Sequence, residues 1–180
     1  MPNLLITGQS GRMGQALMQA AAADPDSTVT ATHDVGQDLD AAVQKADCII
    51  DFTVHSFTAQ VVEAALKHGT RLVIGTTGHS DEEREMIRKA AEKLPIVFAS
   101  NYSVGVNTLF WLTRHAARIL TQDRFDIEVT EMHHRHKIDA PSGTALKMGE
   151  VIAAALGRDL KDCAVYAREG ITGERDPSSN

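Results

Sequence analysis

Short apolar or β-branched runs alternate with longer segments of helical periodicity along the first hundred residues. The runs predict buried strands, because a strand covered on both faces shows no polar alternation. They lie at residues 4–7, 28–33, 48–52, 72–74 and 96–98. The helical segments between them lie at residues 14–23, 39–46, 57–68 and 80–92. This alternation predicts an α/β, Rossmann-like domain built on a parallel sheet.

Two helix ends carry specific signals. Residues 80–83 read Ser-Asp-Glu-Glu, a capping box that predicts a helix start at Ser80. Gly69 stands where a left-handed residue closes the preceding helix. Both signals support helices between the strands.

The pattern changes after Asn101. A helix is predicted over 108–120 with Asn107 as its cap, then an alternating strand over 126–132, and a helix over 144–156. We therefore predict a dinucleotide-binding domain over residues 1–103 and a partial substrate-binding domain over residues 104–180. The second domain is expected to be of α+β type and to be C-terminally incomplete, because the tail after Arg168 predicts no further element. A role of this domain in substrate binding and oligomerisation is implied only by the family resemblance given below.

A glycine-rich loop joins the first predicted strand to the first helix. Residues 8–14 read Gly-Gln-Ser-Gly-Arg-Met-Gly, with Ser10 where the GxGxxG pattern has its second glycine. Gly8 permits the sharp exit from the strand, Gly11 a close backbone approach and Gly14 helix packing. The helix N-terminus then offers N–H groups to a pyrophosphate. An ordinary tight turn is the alternative, and the strand-loop-helix context favours the nucleotide.

An acidic residue supports the nucleotide interpretation. Asp34 ends the second strand, 20 residues after Gly14, where a carboxylate binds the ribose hydroxyls of NAD and repels a 2′-phosphate. Val35 follows it, so NAD is favoured over NADP, and Arg12 is the cation in the loop that would accept a 2′-phosphate. A solvated loop acid is the alternative for Asp34 alone.

Composition and charge narrow the function classes. The chain has 180 residues, a net charge of −6 and 4% aromatic residues, a balance that disfavours nucleic-acid binding. Cys48 and Cys163 form no CxxC pair, which argues against a disulfide framework and a zinc site. No basic and apolar leader opens the chain and no run of about 18 apolar residues occurs, so a cytoplasmic protein without a membrane partner is expected.

A histidine cluster follows the predicted strand of the second domain. Residues 131–137 read Glu-Met-His-His-Arg-His-Lys, and no metal is predicted because Arg135 and Lys137 would repel a divalent cation. Residues 142–144, Ser-Gly-Thr, then open a helix and predict an anion site suited to a carboxylate substrate. A histidine here would act as general acid or base, and a lysine would donate a proton. A solvated basic loop is the alternative.

Five segments together resemble the dihydrodipicolinate reductase (4-hydroxy-tetrahydrodipicolinate reductase) family of lysine and diaminopimelate biosynthesis. They are residues 8–14, 51–53, 75–78, 101–107 and, most specifically, 131–145. The resemblance implies an oxidoreductase that transfers hydride from NADH or NADPH to a cyclic unsaturated dicarboxylate, converting 4-hydroxy-tetrahydrodipicolinate to tetrahydrodipicolinate. It also implies a homo-oligomer, typically a tetramer, and a chain that continues beyond residue 180.

The resemblance implies site residues as well. His133 matches the catalytic acid/base and Lys137 the proton donor, and the choice between them for the final proton stays open. His134, Gly143 and Thr144 match substrate contacts. The implied cofactor-binding residues are Gly8, Gln9, Ser10, Gly11, Arg12, Met13, Asp34, Gly75, Thr76, Thr77, Ala99, Ser100, Asn101 and Tyr102.

Two alternatives to this reductase stay open at the level of sequence. One is a non-catalytic dinucleotide-binding module, or a fragment of such a reductase, which explains the glycine loop but gives no reason for the loop from His133 to Thr144. The other is a two-domain NAD(P) reductase with a different substrate.

The family often has arginine after the acidic ribose residue, and Val35 stands there in this chain.

Overall fold

Five short parallel strands form the sheet of the first of two structural units. The structure, a computed structural model, describes residues 1–121, 124–135 and 137–174. The strands are β1 (Asn3–Thr7), β2 (Thr28–His33), β3 (Cys48–Asp51), β4 (Arg71–Ile74) and β5 (Ile96–Phe98). Their order is β2-β1-β3-β4-β5, and every pairing is parallel. The predicted Rossmann-like parallel sheet is confirmed.

Apolar side chains of the inner strands form the core of this unit. Leu5, Ile49 and Leu72 are at most 1% exposed, whereas the edge strand β5 is half-buried or exposed. The helices that follow the strands are α1 (Arg12–Ala23), α2 (Leu39–Val43), α3 (His55–His68) and α4 (Asp81–Ala91). Buried residues of α3 and α4, such as Val61 and Ile87, join the same cluster. Of the inner strands, β1 is buried on both faces from Leu4 to Thr7, whereas β3 and β4 are fully buried on one face only.

The structure confirms both predicted helix-end signals, the glycine at the end of α3 and the capping box at the start of α4. Gly69 has φ +69° and ends α3, with its N–H donating to Ala65 O. At the start of α4 the Ser80 hydroxyl accepts from Glu83 N, while the Glu83 carboxylate accepts from Ser80 N at 2.7 Å. These caps satisfy backbone groups that a helix leaves without intrahelical partners.

The second unit, Asn101–Asn180, contains helices in its described part. They are α5 (Val104–Ile119), α6 (Gly143–Ala155) and the short α7 (Leu160–Cys163). The unit boundary after Ser100 lies three residues before the boundary predicted from sequence. His136 of the predicted histidine cluster and residues 175–180 of the predicted tail lie outside the described residues.

Two expectations for the second unit are wrong. The alternating segment 126–132 is not a strand, because no described segment of this unit pairs with it and an unpaired strand leaves its backbone groups unsatisfied. Ser103, not Asn107, caps α5: its hydroxyl accepts from Val106 N, and the helix starts four residues earlier than predicted. The Asn107 side chain instead donates to the carbonyl oxygens of Asn101 and Ser103.

No helix in the described ranges combines the length and apolar character needed to cross a bilayer. The longest, α5, has 16 residues. A helix of about 20 apolar residues is needed for that purpose.

We expect a buried histidine, His79, to make the stability of the first unit depend on pH. His79 is 5% exposed, its Nε2 lies 2.8 Å from Thr58 Oγ1, and its ring packs edge-on against Phe98. Burial lowers the pKa of His79 from its ordinary value of 6.5, an effect that Glu83 partly opposes. The unfolded chain then binds the proton more readily than the folded one, so stability is lost as the pH falls below about 6.5.

We expect His79→Phe to reduce this loss. Phenylalanine keeps a ring against Phe98 and removes the titration. The free energy of unfolding, measured in urea at about pH 7.5 and about pH 5.5, should fall less for the variant than for the unaltered chain. An equal fall in both proteins would show that His79 does not carry the pH dependence.

Candidate active site

The residues that follow β1, β2, β3 and β4 lie side by side at one edge of the sheet. Thr7 is in register with His33 on one side and with Asp51 on the other, and Asp51 is in register with Ile74. Gly8, Asp34, Phe52 and Gly75 are therefore the first residues beyond these strand ends. The strand order reverses beside β1, which is where parallel α/β sheets bind ligands.

The glycine loop has the tight backbone geometry that a pyrophosphate site needs. Gly8 has φ +65°, and its N–H donates to His33 O at 2.7 Å. A Cβ on Gly14 would lie 2.0 Å from Gly8 O and 2.6 Å from Gln9 Cα, so helix α1 approaches the loop too closely for any other residue. Gly11 is the N-cap of α1, and no side chain caps this helix. The first N–H groups of α1 suit an anion.

Ser10 has a role that the glycine pattern does not reveal. Its hydroxyl donates to Asp34 Oδ1 at 3.1 Å, and its N–H lies 3.3 Å from Asp34 Oδ2. Asp34 N in turn donates to Gln37 Oε1 at 2.8 Å. The departure from GxGxxG therefore fixes the acidic side chain beside the loop, where a ribose is expected.

The segment after β4 is tightly packed against the end of β3. A Cβ on Gly75 would lie 2.0 Å from the Phe52 ring, and Gly75 N donates to Asp51 O at 2.8 Å. Thr76 is 4% exposed, whereas Thr77 is exposed. Arg12 and Met13 are exposed at the start of α1. Gly75 thus lets this segment approach β3 closely.

The last predicted cofactor residues lie at the ends of the two units. Ala99 N donates to Ile74 O, and Ala99 and Ser100 end the first unit. Asn101 and Tyr102 begin the second unit, where Asn101 Oδ1 accepts from Ser103 N at 2.7 Å. The Asn101 side chain thus binds the backbone of Ser103, the residue that caps α5.

In the second unit, a carboxylate links the predicted catalytic histidine to the start of α6. Glu131 accepts from Ser142 N at 2.8 Å and from the Ser142 hydroxyl, and Glu131 Oε2 lies 3.4 Å from His133 Nδ1. Ser142 is the N-cap of α6, since its hydroxyl accepts from Ala145 N. The bonds from Ser142, and then the charges of His133 and Lys137, lower the pKa of Glu131. No motif in the sequence predicts this role for Glu131, although it lies only two residues before His133.

The predicted proton donor is held in an ion pair. Lys137 Nζ donates to Asp139 Oδ1, a bond that lowers the pKa of Asp139. Lys137 N donates to His134 O at 3.1 Å, which forms a turn in the loop. Gly143 and Thr144 are the first residues of α6, after the Ser142 cap. His133, Lys137 and the N-terminus of α6 thus belong to one loop-helix segment, although no direct bond between them is observed.

A cavity of about 610 Å³ in the second unit does not coincide with these residues. Its lining includes Glu131 and Pro141 but not His133, Lys137, Gly143 or Thr144, and it is mainly apolar. Apolar walls do not suit a dicarboxylate, so we do not assign the substrate to this cavity. Among the described residues no cluster of His, Cys, Asp or Glu is arranged to hold a metal ion.

The fold and the glycine loop define the class of protein as a dinucleotide-binding α/β protein. Comparison with known proteins identifies the family. Residues 2–102 match the family described as "Dihydrodipicolinate reductase, N-terminus", and residues 105–179 match "Dihydrodipicolinate reductase, C-terminus". The chain belongs to the dihydrodipicolinate reductase family, whose members are NAD(P)-dependent oxidoreductases.

Individual relatives support this assignment over nearly the whole chain. The 4-hydroxy-tetrahydrodipicolinate reductase of Akkermansia muciniphila is 55% identical over 97% of this chain and 71% of its own length. The reductase of the same name from Paraburkholderia phymatum is 50% identical over 98% of this chain and 74% of its own length. Dipicolinate-bound dihydrodipicolinate reductase from Paenisporosarcina sp. TG-14 superposes with a TM-score of 0.74, at 26% identity, over 98% of this chain and 71% of that one.

The contact between Gly14 and the loop backbone leads to a prediction. In Gly14→Ala the new Cβ meets Gly8 O and Gln9 Cα, and backbone atoms cannot move aside as a flexible side chain can. We expect the Kd for NADH to rise by about tenfold or more, because the loop is displaced from α1. Isothermal titration of NADH into the variant measures it.

Gly105→Ala is the matched control. Gly105 lies in α5, and its Cβ would meet nothing closer than Ser103 Oγ at 3.7 Å. The NADH Kd should stay within about twofold of the original, since the added methyl group has room and alanine favours a helix more than glycine does. A Gly14→Ala protein that binds NADH as tightly as the control would contradict the assigned role of the close contact.

Proposed function

We propose that this chain reduces 4-hydroxy-tetrahydrodipicolinate to tetrahydrodipicolinate with NADH or NADPH, in lysine and diaminopimelate biosynthesis. The proposal is carried by one observation: a glycine loop built for a dinucleotide and a His133–Lys137 loop that leads into an anion-binding helix N-terminus occur in one member of the reductase family. Assembly into a homo-oligomer stays a prediction from the family resemblance, and a cytoplasmic location stays a prediction from the composition of the sequence.

The residues of the first unit fit a nicotinamide dinucleotide. A Cβ on Gly14 would clash with Gly8 O and one on Gly8 with Thr53 Cγ2, so both glycines let the loop pack tightly at the start of α1. No side chain caps α1, so none competes there with a pyrophosphate. Asp34, oriented by Ser10, would accept hydrogen bonds from ribose hydroxyls. The bound cofactor supplies the hydride, and the segments 75–77 and 99–102 would hold its nicotinamide end.

The residues of the second unit fit an anionic substrate. The N-terminus of α6 at Gly143 and Thr144 offers N–H groups, and it is the positive end of the helix dipole, which favours a carboxylate. His134, Arg135 and Lys137 add cationic or polar groups upstream. A substrate carboxylate would be oriented by these groups, which is the positioning that hydride transfer requires.

Two side chains would handle the proton that reduction requires. Lys137 carries three donors on Nζ, so it can keep its bond to Asp139 and donate to the substrate as well. His133 would act as general acid or base, with Glu131 orienting its ring through Nδ1 and leaving Nε2 for the reaction. Lys137 would stabilise negative charge that develops on the substrate.

The His133→Ala and Lys137→Ala variants test the catalytic assignment. General acid/base catalysis contributes about 10²–10⁴-fold, so each variant should lower kcat by about 100-fold or more. The Kd for NADH should change by less than about threefold, because neither residue belongs to the glycine loop. Steady-state turnover of 4-hydroxy-tetrahydrodipicolinate and direct titration of NADH measure the two quantities.

Matched controls are available in the same unit. His115→Ala and Lys147→Ala remove a histidine of α5 and a lysine of α6 that have no assigned role, and both should leave kcat unchanged. Normal turnover in both test variants would disprove the roles of His133 and Lys137. Binding of NADH without any turnover by the unaltered chain would instead favour a non-catalytic dinucleotide-binding module.

Cofactor preference follows from Asp34 and Val35. We propose that NADH binds more tightly than NADPH by about tenfold, roughly 1.4 kcal/mol, because the Asp34 carboxylate repels a 2′-phosphate and Val35 offers it no cation. Asp34→Ala should weaken NADH binding and reduce the difference between the Kd values for NADH and NADPH. Fluorescence titration with both dinucleotides measures the ratio of Kd values.

Asp26→Ala controls for the loss of one negative charge, since Asp26 is exposed in the loop before β2 and should not alter the ratio. Tighter binding of NADPH to the unaltered chain would contradict the proposal. It would show that Arg12 or another cation dominates at the 2′-position.

A further inference from the structure

A carboxylate with no assigned role is fully buried at the centre of the first unit's ligand edge. Asp51 ends β3 and is 0% exposed. Its Oδ1 accepts from Thr7 Oγ1 at 2.6 Å and from Thr53 Oγ1 at 2.7 Å, and its Oδ2 accepts from Thr76 Oγ1 at 2.8 Å. We call these four residues the Asp51 cluster.

Burial of the Asp51 carboxylate costs free energy of folding, and the sheet could form without a charged group at this position. Burying a carboxylate is unfavourable unless hydrogen bonds replace its hydration, and apolar residues of similar size often serve stability equally well. Ile49, two residues earlier in β3, fills the core in that way. The three hydroxyl donors satisfy Asp51 but also fix their own segments relative to it, because a hydroxyl must point at its acceptor.

The three donors lie in or against the segments that the predicted cofactor residues occupy. Thr7 directly precedes Gly8, the turn of the glycine loop. Thr76 lies in the segment after β4, and it also accepts from Thr53 N at 2.9 Å. A Cβ on Gly8 would lie 2.8 Å from Thr53 Cγ2, so Thr53 packs directly against the turn. One carboxylate thus links the pyrophosphate loop to the segment expected at the nicotinamide end.

The position in the sheet strengthens this link. Thr7 and Asp51 are register partners on β1 and β3, and these strands flank the point where the strand order reverses. The chain Thr53 N–H to Thr76 Oγ1 to Asp51 Oδ2 joins consecutive donors and acceptors, and such chains strengthen each bond.

We propose that Asp51 is a positioning residue for the dinucleotide: through Thr7, Thr53 and Thr76 it holds the Gly8 turn and the segment after β4 in the geometry that binds the cofactor. This inference rests on the proposed function, because it requires that the glycine loop binds NADH or NADPH. Asp51 itself touches neither substrate nor cofactor in this scheme.

Asp51→Asn tests the proposal with little change in volume. A carboxamide lacks the negative charge that strengthens all three bonds, and its NH₂ group facing Thr76 Oγ1 can only donate, so the Thr76 hydroxyl must turn away from residue 51. The Kd for NADH and the Kd for NADPH should both rise about tenfold or more, by the same factor, since Asp34 is untouched. The KM for the dicarboxylate should stay within about twofold, a split that general destabilisation does not produce.

A pair of Thr7 variants provides rescue and keeps the test decisive if Asp51→Asn does not fold. Thr7→Val removes the hydroxyl at nearly constant shape and should raise both Kd values by about fivefold or more. Thr7→Ser keeps the hydroxyl and should bind both dinucleotides within about twofold of the unaltered chain. Circular dichroism verifies that each variant is folded.

Ile49→Val is the matched control, since it trims the buried core of β3 without changing a polar group and should leave both Kd values unchanged. Original Kd values in folded Asp51→Asn and Thr7→Val would overturn the proposal, and so would a rise in Ile49→Val equal to theirs. Failure of the unaltered chain to bind either dinucleotide is a different result, which overturns the cofactor assignment itself.

Discussion

The parallel register of β1 with its two neighbours is the constraint on which the first unit's site depends. Thr7 is level with His33 and Asp51, so Gly8 and Asp34 leave the sheet side by side. The backbone bond from Gly8 N to His33 O continues the ladder by one step beyond the strand. A shift of one residue would turn every side chain of β1 to the opposite face and separate the loop from Asp34. Apolar burial in Leu5 and Ile49 fixes the register and thereby the site.

Sequence reasoning was successful where local chemistry decides the structure. The apolar runs, the capping box at Ser80 and Gly69 each carry their signal within a few residues, and the structure has the corresponding elements. The segment 126–132 shows the opposite case, because an alternating pattern forms a strand only when another strand supplies partners. Asn107 was misassigned since Ser103, four residues earlier, competes for the same capping role.

The site residues follow the same division. The glycines of the loop were predictable, because a positive φ or a close approach leaves few residue types that fit. The bond from Ser10 to Asp34 joins residues 24 positions apart, and no sequence motif near Ser10 predicts it. Glu131 and Ser142 are 11 positions apart, and Asp51 and Thr7 are 44 positions apart. Sequence periodicity does not encode such pairs, because they depend on which strand ends and loops the fold brings together.

Each unit has one carboxylate that binds several neighbouring groups, Asp51 in the first unit and Glu131 in the second, and their surroundings differ. Asp51 is enclosed by neutral hydroxyls, so its hydrogen bonds are directional and little weakened by solvent. Glu131 is half-buried and lies between two partners, since it accepts two bonds from Ser142 and its Oε2 is 3.4 Å from His133 Nδ1. A rigid acceptor of this kind suits the pyrophosphate role proposed for the glycine loop. The carboxylate of Glu131 suits the acid/base role proposed for His133, because it lies between the histidine ring and the capped start of α6 and so links the two.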